Sequence, residues 1–131
     1  MQTIIVPSTK SRFDTAPIRR RIVEGQELVN LGRFGAAATV LWASFEAAVR
    51  LSLAELGEQT DRPIWLSGTP RGLASQAVAY GIIDPEDRDV LLRFLQEYEE
   101  VAAGKAEMFD GDLLQRISFL AERTLEEMGQ R

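Results

Sequence analysis

The stretch RFGAAATVLWASFEAAVRLSLAELG, residues 33–57, is apolar over most of the circumference that a helix would give it. Trp42, Phe45, Val49, Leu53 and Leu56 fall in one broad stripe at helical spacing. Ala36, Ala37, Ala43, Ala47 and Ala48 are small enough to let neighbouring helices approach closely. A helix of this kind must be covered on most sides, so the segment predicts the central member of a helical bundle. Glu46 and Arg50 are spaced i,i+4 in the favourable order, a pairing that contributes a few tenths of a kcal/mol when exposed. On so largely buried a helix, Arg50 is also a candidate anchor for an interface.

The flanking sequence supplies further helices. Residues 1–13 read as an extended lead-in, with Ile4-Ile5-Val6 a short strand pattern that has no second strand to pair with. Asp14-Thr15 and then Pro17 mark a helix start. Ile18, Ile22, Gly25 and Val29 form its apolar face and it ends near Gly32. EQTDRPIWLSG, residues 58–68, is a connector whose Trp65 is expected to fold back onto the bundle. SGTPRGL fits neither phosphate-loop spacing, and Thr69-Pro70 reads instead as a cap followed by Pro at the first helical position. That helix ends at Gly81, and Asp84-Pro85-Glu86-Asp87 opens the next. Leu91, Phe94, Leu95, Tyr98, Val101 and Ala102 make its apolar stripe, with Gly104 as the stop. Asp110 caps the last helix, whose face is Leu114, Ile117, Ala121, Leu125 and Met128; Asp110 and Asp112 around Gly111 lack the other ligands of a calcium loop. The expectation is an all-α chain of about five helices in an up-and-down bundle, residues 14–131 forming a single domain.

The chain contains no Cys and no His. Disulfides, thiolate zinc sites and cysteine nucleophiles are excluded, along with the only side chain that titrates unperturbed near neutrality. Acid–base work would fall to carboxylates, Lys or Tyr, and no cofactor or metal is expected. MQTIIVPSTK has no basic n-region before its short apolar run, and no apolar stretch is read as approaching the ~20 residues that span a bilayer. A soluble cytoplasmic protein without a membrane partner is therefore expected. Residues 1–33 carry six basic and three acidic side chains, net +3, and the remainder nine basic and seventeen acidic, net −8. A basic arm on an acidic body suits pairing with another charged protein, or with itself, better than general nucleic-acid binding. Arg19, Arg20 and Arg21 cannot all share the first helix's core face; they read as a solvated flank or as a contact for a partner or phosphate.

The order of features resembles the HEPN superfamily, small prokaryotic helical bundles of toxin–antitoxin and defence systems and accessory nucleotide-binding domains. The resemblance covers about residues 18–128 and rests on LVNLGRF, AATVLWASFEAAVR, GIID, EDRDVLLRFLQEYEEVAAGK and LLQRISFLAERTLEEM taken in order. Members with ribonuclease activity carry a motif of the form RNxxxHG near the end of the penultimate helix. The motifs of two chains meet across a dimer interface, the His polarising a ribose hydroxyl and the Arg stabilising the transition state. With Gly104 matched to the motif Gly, the Arg position holds Tyr98, the polar position Glu99 and the His position Ala103. The frame remains and the reactive side chains do not, each loss being worth orders of magnitude in rate.

The resemblance therefore implies a non-catalytic interaction or dimerisation domain, partnered by a second copy or a cognate protein such as a nucleotidyltransferase-type antitoxin. Arg19, Arg20, Arg21 and Arg50 are the candidate partner contacts. Two alternatives remain open: a ribonuclease using Tyr98 or Lys105, and a nucleotide or small-ligand site lined by Trp42, Trp65 and the Arg19–Arg21 run.

Overall fold

The computed structural model describes residues 13–104 and 109–128. The expected lead-in, residues 1–13, lies outside the described residues except for Phe13. The described chain is all-α: α1 (Ala16–Asn30), α2 (Phe34–Gln59), α3 (Pro70–Ala79), α4 (Arg88–Ala102) and α5 (Gly111–Met128), with one turn of 3₁₀ helix, Pro85–Asp87, leading into α4. No strand occurs among the described residues.

α2 is the central helix. Residues 31–33 turn the chain so that α1 returns along it antiparallel, Gly25 lying against Leu41 and Ile18 near Ala43 and Ala47. A Cβ on Gly25 would sit 2.6 Å from Leu41 Cγ, so glycine is what permits the two backbones to approach there. α5 begins beside the start of α2, where Gly111 faces the Phe34 ring. It runs parallel to α2 and antiparallel to α1. α4 is antiparallel to α5, Asp87 meeting Arg123 at one end and Arg93 meeting Asp110 at the other. Trp42 stacks on Phe94 at 5.3 Å and ties α2 to α4.

One core joins these helices. Leu41, Phe45, Ala48, Val49 and Leu53 of α2 are fully buried with Phe94 of α4 and Leu114, Ile117 and Ala121 of α5. Each large side chain among them contributes about 1.5–3 kcal/mol by leaving water. α2 is the one helix among the described residues that is long and apolar enough, by length and composition, to cross a membrane. This corrects the reading that no such segment exists; here its apolar faces are covered chiefly by α1 and α5, with α3 also packed against it and Phe94 of α4 stacked on Trp42.

Before α1, Asp14 Oδ1 accepts from Ala16 N at 3.0 Å while the Thr15 side chain makes no capping bond. Thr69 Oγ1 accepts from Gly72 N at 3.1 Å, and Asp110 Oδ1 from Asp112 N at 2.9 Å. Asp84 does not cap α4: its side chain makes no capping bond, and it and Asp87 turn to Arg123 of α5, at 3.3 and 2.8 Å. A guanidinium offers charge-assisted bonds, stronger than those of a neutral amide, so the carboxylates leave the helix start to a 3₁₀ turn.

Candidate functional site

The C-terminal half of α4 holds the positions that the motif comparison singled out. Its apolar stripe packs inward through Leu91, Phe94 and Leu95, all buried. Tyr98 follows one turn on from Phe94 but is 37% exposed, so it is the rim of the core and not a member of it. Its ring lies 6.0 Å from Phe94 and 5.9 Å from Phe109. Phe109, 4% exposed, closes the cluster from the segment before α5. Ala102 is exposed where the stripe had placed it inward.

The acids around Tyr98 are engaged. Glu99 Oε1 accepts from Arg71 Nε at 3.1 Å, bridging α4 to α3. Glu97 accepts from Asp110 N at 3.1 Å and lies 3.5 Å from Arg93 Nε, so it helps tie the start of α5. Glu100 accepts from Gln96 at 3.3 Å. Ala103 is the exposed C-cap residue, and Gly104 follows at φ +75 with its N–H on Val101 O at 3.1 Å. That left-handed turn is the reason for glycine at this stop. Lys105 lies outside the described residues. The turn offers a phenol rim, ion-paired carboxylates and a bare helix end; no group of three or more His, Cys, Asp or Glu placed to hold a metal occurs among the described residues.

The arginines are dispersed. Arg19, Arg20 and Arg21 are exposed, and helical pitch sends them in three directions. Arg19 donates to Thr15 Oγ1 at 3.3 Å. Arg21 turns toward α2 and borders a shallow hollow with Pro17, Ile18 and Ala47. Arg50 lies 3.6 Å from Glu46 and donates to Ser67 O at 3.4 Å, linking α2 to the connector. The four candidate partner contacts do not converge on one patch.

No protein-family model, curated protein or solved structure matches the chain.

Trp65 does not fold back onto the bundle. It is 88% exposed, because Gln76 of α3 grips the backbone on either side of it, donating to Trp65 O at 2.6 Å and accepting from Ser67 N at 2.7 Å. The clamp satisfies the connector's polar backbone and leaves the indole outside. Trp42 is in the core, 8% exposed. The proposed nucleotide lining of Trp42, Trp65 and the arginines is therefore not assembled.

Three features escaped the sequence reading. Arg123, on the α5 flank toward α4, gathers Asp84, Asp87 and Glu127. Burial works to lower its pKa, but the hydrogen bond and charge of Asp87, with Asp84 and Glu127, outweigh it and hold the guanidinium above its ordinary value. Glu55 is 7% exposed on α2, and its Oε1 has no hydrogen-bond partner among the described residues. Phe119 is 60% exposed on α5; its place off the stripe of Leu114, Ile117, Ala121 and Leu125 was the signal that could have found it.

Proposed function

We propose that this chain is a non-catalytic, HEPN-like association domain of a prokaryotic toxin–antitoxin or defence-type system, acting in the cytoplasm by pairing with itself or with a cognate protein. The observation that carries the reading is the occupancy of the motif frame. Tyr98 is spent on ring contacts, Glu99 on an ion pair with Arg71, and Ala103 presents only a methyl group at the helix end. Large apolar side chains meanwhile face solvent on helices that are otherwise polar outside, among them Phe119 and Val23. Solvent-facing apolar groups rimmed by charge are the ordinary raw material of protein contacts.

The test is to incubate the purified chain with labelled RNA, with and without divalent metal, and to measure association in parallel by light scattering and by pull-down from the native host. The expected result is no cleavage above background together with a reproducible self-complex or a single stoichiometric partner. Cleavage lost in Tyr98→Phe or Lys105→Ala overturns the reading.

A further inference from the structure

We propose that the outer face shared by α1 and α5 is where two copies of this chain pair, α1 of each copy lying over α5 of the other. The inference rests on the association reading above and names its surface and partner.

The two helices are antiparallel neighbours joined by Gln26, which donates to Ser118 Oγ at 2.8 Å and to Glu122 Oε1. On α1, Arg19, Val23 and Gln26 follow at i, i+4 and i+7, so Val23 stands on the flank that leads to α5. It is 52% exposed. On α5, Phe119, Glu122 and Glu126 follow at i, i+3 and i+7, and Phe119 occupies the outward crest. Two exposed apolar groups thus sit on adjoining helices of one face.

The charges decide the occupant. At one end of the face α1 presents Arg19 and Arg20, while α5 presents Glu122 and Glu126. At the other end α1 presents Glu27 and α5 presents Asp112, while Arg116 stands on the flank toward α4, beside Asp87 and Val90. Arg20, Glu27, Arg116 and Glu126 are exposed and make no ion pair among the described residues. A two-fold axis in the contact plane, parallel to the helices, turns α1 of one copy onto α5 of the other without exchanging their ends. The arginine end then lies over the glutamate end, and each contact is made twice, as in any isologous interface. Phe119 and Val23 enter the interior of that contact. With α1 at 15 residues, the face is about 22 Å long and roughly two helix widths across, the size of a weak, reversible contact.

The experiment is sedimentation velocity on the full chain from 1 to about 200 micromolar, at low and high salt, with circular dichroism as the check of fold. The wild type is expected to dimerise, more weakly at high salt. Phe119→Asp is expected to weaken the dimer at least tenfold, and Arg20→Glu and Glu126→Arg several-fold each. The double variant Arg20→Glu/Glu126→Arg is expected to recover to within about threefold of wild type, which a merely destabilised fold would not do. Trp65→Ala should change nothing. A dimer indifferent to Phe119→Asp, or single charge variants without recovery in the double, overturns this face while the association reading stands. A wild type monomeric throughout overturns the second-copy assignment and points to a different protein, or to residues 1–12 of the same chain, as the cover of this surface; the association reading falls only if the host pull-down is empty as well.

Discussion

Arg71 reaches from α3 to Glu99 on α4, its Nη2 2.5 Å and its Nε 3.1 Å from Glu99 Oε1. The pair ties the short third helix to the C-terminal part of α4 and gives Glu99 a structural occupation. The two side chains are 52% and 62% exposed, so water competes for both. A double-mutant cycle of Arg71→Ala and Glu99→Gln is expected to give a coupling of about 0.5–1 kcal/mol that shrinks as salt is raised. Urea denaturation at two ionic strengths measures it; a coupling several times larger and insensitive to salt contradicts the exposed geometry.

The two tryptophans should behave oppositely. Trp65→Ala is expected to change stability by no more than about 0.5 kcal/mol, as for other exposed side chains. Trp42→Ala, which removes an indole stacked on Phe94 in the core, should cost about 3–5 kcal/mol. Fluorescence separates them without denaturant: in Trp42→Phe the remaining indole is expected to be freely quenched by acrylamide, and in Trp65→Phe strongly shielded.

Gly25 marks the closest approach of α1 to α2. A Cβ there meets the side chain of Leu41, itself fully buried. For Gly25→Ala the gain in helix propensity, about 1 kcal/mol, partly offsets an overpacking penalty of about 1–3 kcal/mol, and a net loss near 1 kcal/mol is expected. Gly25→Val adds branching and should lose about 3 kcal/mol. Thermal or urea unfolding tests the order; a Val variant as stable as wild type would mean the helices are not in contact at this point.

Arg123 binds α5 to the entrance of α4 through Asp84 and Asp87. Replacing it by Met keeps most of the aliphatic packing and leaves two carboxylates facing one another, an expected loss of about 1–2 kcal/mol because the cluster is only partly buried. The sign of its pH dependence follows from the raised pKa. A basic group whose pKa is higher folded than unfolded gives its full contribution below the unfolded value and loses it only as pH rises past the folded one. The wild-type to Arg123→Met difference should accordingly stay flat from pH 7 to pH 9 in stability measurements; a decline across that interval would show that another group titrates in the cluster.

Much of the fold was legible because its signals are local. The stops at Gly32, Gly81 and Gly104, the Thr69 cap and the Asp110 cap are each set within one turn of chain, and all five helices appear where their periodicity put them. Asp84 misled because its capping chemistry was judged against its neighbours alone, while the stronger partner, Arg123, lies 39 positions away. Trp65 misled for a related reason: apolar character argued for burial, but Gln76, eleven residues on, takes up the connector's backbone and removes any need for the ring to move inward. The sequence shows that Arg19, Arg20 and Arg21 cannot all face the core; which of them shares a face with Phe119 depends on where α5 lies.

By itself, then, the amino-acid order determined the number and limits of the helices, the central place of residues 34–59 and the absence of imidazole and thiol chemistry. Tertiary structure alone decided which charges are spent and which remain available. Periodicity and capping act between residues a turn apart, whereas Arg71–Glu99, Arg123–Asp87 and Gln26–Glu122 join positions separated by 28, 36 and 96 residues. No local preference encodes such pairings; they arise when burial of the α2 core brings the other helices into register around it.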